Sequence, residues 1–244
     1  MRLVFSLALA LASLALAAPL HAQPGEGVAT VPDAPDSTRA VPTYTTGAGL
    51  AVRLTNDGFG VGGVLRAGIG EATSLLVEFS VNPGKDEREQ QFFIGLFGET
   101  VVPLKRNYFA MAPLHIGVEH RLFRAAIEDN FRPFFQLTGG PTFGYQWPYF
   151  DDVNNDGIRD DGEDLEGAFG AFGRGALRFG VGGTLAVGAY FGLGRRTTQG
   201  LRLGYHAAYF FEPVDLLEAD PRVADPSKQF FGTPLVSIHL LRLW

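Results

Sequence analysis

Thr73-Ser-Leu-Leu-Val-Glu-Phe-Ser-Val81 decides the fold. Leu75, Val77, Phe79 and Val81 share one face of an extended chain, while Ser74, Glu78 and Ser80 share the other with Leu76. Successive side chains of a strand point to opposite faces, so the segment has one apolar and one polar side. The same alternation recurs along the chain. Its polar faces collect arginine and glutamate where a soluble core would need apolar side chains. One face suits lipid and the other a polar lumen, the pattern of a transmembrane, antiparallel, up-and-down β-barrel.

Working outward, the period-two pattern predicts strands at 46–55, 59–69, 73–82, 90–98, 108–123, 131–146, 174–193, 199–211 and 229–244. Turn signals separate them: Asn56-Asp57-Gly58, Asn82-Pro83-Gly84, Asp129-Asn130 and Arg195 to Gln199. Nine strands conflict with the even number of a single-chain bacterial barrel whose ends share one side. Counting back from the C-terminus places the long loops 147–173 and 212–228 on one side and the short turns 124–130 and 194–198 on the other. The conflict therefore lies among the first four strands, and eight strands are expected, with ten as the alternative.

The ends of the chain set the compartment. Met1-Arg2 is a basic start, Leu3 to Ala18 an apolar run, and Leu20-His21-Ala22 a small-residue cleavage site before Gln23, so residues 1–22 read as a signal peptide. Residues 23–44 are rich in Pro, Gly, Ser and Ala without periodicity and read as a flexible lead-in to a barrel at 45–244. No later segment reads as a membrane helix. The stretch 175–194 is apolar but holds Arg178 and seven glycines, a poor helix and a good barrel strand. The chain has no cysteine, which excludes disulfides, thiol catalysis and a lipidated N-terminal cysteine. A net charge of −6 with no basic stripe argues against nucleic acid.

The last strand ends on Trp244, with Val236, Ile238 and Leu240 on the same face. Arg242 also falls on that lipid side, near the rim, where a charge costs only about 0–1 kcal/mol. Three further stretches, Tyr108 to Phe123 (YFAMAPLHIGVEHRLF), Asp129 to Tyr145 (DNFRPFFQLTGGPTFGY) and Gly182 to Gly192 (GGTLAVGAYFG), resemble small outer-membrane β-barrel proteins of Gram-negative bacteria without assigned activity. The resemblance implies insertion by the barrel-assembly machinery through the C-terminal strand, contact with outer-membrane lipid and a monomeric state. It transfers no catalytic residue.

The sharpest local motif lies in the loop 147–173. Asp152, Asn154 and Asp156 place oxygens at positions 1, 3 and 5, Gly157 stands at 6, Ile158 offers its carbonyl at 7, Asp160 sits at 9 and Glu163 at 12. This is the spacing of a calcium loop without flanking helices, and Ca2+ is its expected ligand; a solvated acidic loop is the alternative. Inward positions are expected to hold Arg53, Arg66, Glu78, His115, Glu119, Arg121, Arg132, Gln136, Thr138, Arg178, Arg202 and His206. In eight strands these form a hydrogen-bonded plug; in ten or more their surplus positive charge would serve a narrow anion-binding or transport barrel. Ser237 and His239 are two apart on the inward face of the last strand, the spacing of a nucleophile and its base, and Glu78 or Glu119 could orient the histidine in an outer-membrane lipid hydrolase. Serine and histidine in a lumen more often only satisfy hydrogen bonds, so an enzyme is not expected. Tyr44, Tyr108, Tyr145, Trp147, Tyr149, Phe210 and Trp244 fall at strand ends, as a membrane girdle would. A structural or surface-interaction role is expected, and a soluble periplasmic barrel is a further alternative.

Overall fold

A computed structural model describes residues 46–94, 99–124, 126–127, 130–192, 197–219 and 225–244. The signal-peptide and lead-in segments, with Tyr44, lie outside the described residues. Eight antiparallel strands close into a barrel in the order β1 (Gly47–Thr55), β2 (Gly58–Gly68), β3 (Thr73–Pro83), β6 (Asn107–Arg121), β7 (Phe131–Pro148), β8 (Ala176–Phe191), β9 (Thr197–Asp215) and β10 (Ser227–Leu243). Each strand pairs with its sequence neighbours, and β10 returns to β1 with Gly47 opposite Leu243. Closure leaves no free edge. The ten-strand alternative is thereby corrected to eight.

The miscounted strand is 90–98. It supplies only β4 (Phe92–Ile94), which pairs with β5 (Glu99–Val101) in a two-stranded sheet outside the barrel. Phe92 to Phe97 is apolar with no alternation, so it has no polar face to offer a lumen.

Because β1 starts where β10 ends, one rim carries both ends of the barrel and the β2–β3, β6–β7 and β8–β9 connections, and the opposite rim carries the β1–β2 turn and the connections 84–106, 149–175 and 216–226. We call these the terminal rim and the loop rim. The outer face is apolar all round: Leu50, Leu65, Phe79, Ile116, Leu137, Val187, Leu203 and Leu240, one from each strand, are exposed. As expected, Arg242 and Trp244 also face out.

The inside is layered. Near the loop rim lies a buried apolar cluster of Phe109, Met111, Ala208, Phe210, Val214, Leu216 and Phe231. Near the terminal rim lies a second, of Val64, Leu76, Phe134, Tyr190, Leu241 and Leu243. The polar residues occupy the middle. Glycines on facing strands make room for the rings: a Cβ on Gly144 would collide with Phe109 and Phe210, and one on Gly200 with Tyr190. Small residues set against large ones are how a narrow barrel is filled. Phe210 is therefore a core residue and not a girdle residue, Trp147 is buried against Ala168 and Phe172 of the connection 149–175, and Tyr149 is also buried.

Candidate functional site

The middle layer of the lumen centres on Glu78, delivered by the polar face of β3. Its two oxygens are shared between Arg53 Nη2 at 3.2 Å and Arg202 Nη1 at 2.6 Å, and Gln136 Nε2 donates to it at 2.9 Å. Arg202 also donates to Gln136 Oε1 at 2.8 Å and is fully buried. Toward the terminal rim, Glu119 pairs with Arg66 at 3.0 Å and accepts the Tyr190 hydroxyl at 2.7 Å, while the Arg66 guanidinium lies 5.5 Å from the centre of the Tyr190 ring. Charges this deep survive only when paired, and each of these is, although Arg53 Nε and Arg202 Nε and Nη2 have no hydrogen-bond partner among the described residues.

The expected inward set thus divides. Arg53, Arg66, Glu78, Glu119, Gln136 and Arg202 form the two networks. His115 and His206 lie with ring centres 5.5 Å apart, bonded to Thr142 and Thr184, and Thr138 is buried among them. Arg121 and Arg132 stand at the terminal rim, where with Arg66, Glu119 and Tyr190 they border a cavity of about 50 Å³. Arg178 is at the loop rim, 3.4 Å from Glu212. Only a void of about 10 Å³ lies beside Arg53 and His206, room for one water molecule.

Ser237 and His239 are fully buried in the same middle layer. Neither the serine hydroxyl nor either ring nitrogen has a hydrogen-bond partner among the described residues, so they form no nucleophile–base pair. Glu78 is engaged by two arginines and Glu119 by Arg66 and Tyr190. Apolar layers lie above and below Ser237.

The acidic loop is wound by its own side chains. Asp152 Oδ2 accepts the Gly157 N–H at 3.0 Å, Asn154 Oδ1 that of Asp156 at 3.1 Å, and Asp156 Oδ1 that of Ile158 at 2.8 Å. Glu163, largely buried, takes the N–H groups of Val153 and Asp160 on its two oxygens. Gly157 has a φ of 76°, a left-handed turn that glycine adopts freely. The Asn154 amide donates to Asp156 at 3.1 Å and Asp160 at 3.0 Å, occupying carboxylate oxygens that a cation would take. Among the described residues no three His, Cys, Asp or Glu groups converge on a metal position.

What sequence reasoning missed was the apolar filling of the lumen. Phe109, Met111, Phe210 and Phe231 fall on inward positions, and the signal for Phe109 and Phe210 was Gly144 facing them from β7.

No protein-family model and no curated protein matches the chain. Among solved structures it is similar to the Neisserial surface protein A (TM-score 0.40, 10% identity, covering 81% of this chain and 94% of that one). It is also similar to the N-terminal β-barrel domain of Pseudomonas aeruginosa OprF (TM-score 0.38, 6% identity, 82% and 98%) and to Acinetobacter baumannii CarO (TM-score 0.32, 10% identity, 80% and 97%).

Proposed function

We propose that the chain is a monomeric outer-membrane barrel of a Gram-negative bacterium, exported by its signal peptide and inserted by the barrel-assembly machinery through β10, that presents an external surface and neither conducts nor catalyses. The observation that carries this is the pairing of an all-round apolar exterior with a sealed interior. An exposed apolar band of that extent is unfavourable in water and stable in lipid. Two apolar layers enclosing paired charges leave no route for a solute, which weighs against a transport barrel. The chemistry then lies at the loop rim.

There the loop of Asp152, Asn154, Asp156, Ile158, Asp160 and Glu163 is proposed to bind Ca2+. Its backbone already turns as a calcium loop requires, and Asp152 Oδ1 is buried with no partner, an acceptor waiting for a cation. Binding needs the Asn154 amide to turn its oxygen inward, in exchange for the two bonds it now donates. External sites of this type bind at about 10⁻⁴–10⁻³ M.

The test is a gel of detergent-extracted protein, unheated and heated, with calcium or chelator, beside conductance recording in planar bilayers. A compact unheated band, absence of channel steps and calcium-dependent protease resistance between Asp151 and Glu166 are expected. Fractionation as a soluble protein with no compact band would remove the membrane assignment. Regular channel steps would restore the transport alternative, and equal proteolysis with calcium and chelator would remove the metal.

A further inference from the structure

Between the acidic loop and β8 the chain reads Glu166-Gly-Ala-Phe169-Gly-Ala-Phe172-Gly-Arg174, a Gly-Ala-Phe triplet used twice. This segment is clipped onto the outer face of the barrel. Tyr108 and Trp147, neighbours across β6 and β7, donate to the carbonyls of Glu166 at 3.2 Å and Ala168 at 2.7 Å, and the Tyr145 hydroxyl donates to the Phe172 carbonyl. Within the segment, the Gly170 N–H bonds the Gly167 carbonyl at 2.8 Å and the Arg174 N–H the Ala171 carbonyl at 2.9 Å. The aromatic donors stack on one another, and the Phe172 ring packs 4.8 Å from Tyr145 and 5.2 Å from Trp147. Gly175 lets the chain pass close over Tyr145, where any Cβ would strike the ring.

Held this firmly, the clip still leaves Phe169 88% exposed and Phe172 47% exposed. A loop meant for water has no need of side-chain donors for its carbonyls, because water supplies them. A loop in a low-dielectric boundary does need them, since each unbonded backbone group there is costly. The clip is also continuous with the apolar outer face: Tyr145 pairs with Leu177, and Leu177 and Phe179 are exposed along β8. From Phe131 to Tyr145 the strand climbs about 36 Å along the barrel axis at a tilt of ~40°, against an apolar band of about 25 Å, so with Phe131 at the inner edge of the band the clip stands about 11 Å beyond the hydrocarbon, at the level of the headgroups.

We infer that Gly167 to Gly173 is an interfacial anchor that lies in the headgroup boundary of the outer leaflet, its partner the lipid itself, with Phe169 and Phe172 dipping toward the acyl chains. The inference rests on the membrane placement proposed above. Arg174, paired with Asp151 at 2.6 Å and Glu166 at 2.5 Å, closes the water-facing side of the anchor and ties it to the acidic loop. The anchor therefore holds the calcium-type loop at a set height over the membrane.

The absence of cysteine allows a direct test. Full-length F169C, L185C and V153C proteins are labelled with nitrobenzoxadiazole and reconstituted into phosphatidylcholine–phosphatidylethanolamine vesicles. Each is exposed to lipids carrying a nitroxide near the headgroup or deep in the chain, and to aqueous iodide. The F169C label is expected to be quenched by the shallow nitroxide and several-fold less by iodide than the V153C label, while the L185C label on the outer face of β8 is quenched by the deep nitroxide. A F169C label as open to iodide as V153C, with L185C still quenched from the lipid, overturns the anchor and leaves the barrel in its membrane. Shielding of F169C from both quenchers also overturns it, in favour of a second copy covering the clip. Loss of lipid quenching at L185C overturns the membrane placement itself.

Discussion

Glu78 carries more of the interior than any other side chain described, because two buried guanidinium groups depend on it. Glu78→Leu leaves Arg53 and Arg202 facing each other without a counter-charge. Breaking a buried pair from one side costs about 3–5 kcal/mol. The expected outcome is a marked drop in the temperature at which the compact gel band converts to the unfolded one. Replacing a solvent-side carboxylate such as Glu71, paired with Arg124 at an exposed site, moves that temperature little. At the loop rim the β1–β2 turn holds Asp57, whose carboxyl is pushed up to about 6 by burial. A carboxyl raised above its unfolded value binds more protons folded than unfolded, so its contribution to stability falls as pH rises from about 4 through 6. Asp57→Asn removes that penalty and keeps the turn. The variant is expected to melt higher than the parent at pH 7 and together with it below pH 4. Glu78 was legible in the sequence as an inward polar residue among apolar outward ones. Its two partners were not, because which arginines meet it depends on strand stagger around the ring.

Among elements, the connection 149–175 is wound by its own side-chain hydrogen bonds, and Gly157 makes its tight turn. Its positive φ strains any other side chain, and a Cβ there would also have to displace the Arg106 guanidinium. Gly157→Ala is expected to open the acidic loop, read as proteolysis between Asp151 and Glu166 that calcium no longer suppresses, with the barrel band unchanged. The barrel strands were legible wherever alternation was strict, as in β3 and β8. The reading failed at 90–98, where the apolar run from Phe92 to Phe97 fits a strand by composition and has no second face. It was also short on β9, which runs on to Asp215: Glu212 and Pro213 looked like a loop, yet the chain continues in the ladder opposite Ser227 and Lys228 before a bulge ahead of Phe230.

Across the whole molecule, closure and filling act together. Eight strands leave an interior just wide enough for side chains, and here three stacked layers occupy it. Truncating one apolar layer, with Phe134→Ala and Tyr190→Ala together, is expected to lower stability by several kcal/mol, since each large-to-small change costs about 3–5. It should produce no channel steps in bilayer recordings, because the polar layer and the loop-rim layer still block the bore. By itself the sequence determined the strand period, which face turns outward, the sidedness of long and short connections, and the calcium-type spacing, since these depend on residues near one another along the chain. The tertiary structure alone decided that the ring closes at eight, that Glu78 rather than Ser237 and His239 is the hub of the interior, that aromatic rings seal both ends, and that a glycine-phenylalanine segment is clasped to the outer wall. Each of those depends on the register between strands far apart in sequence, which alternation leaves undetermined.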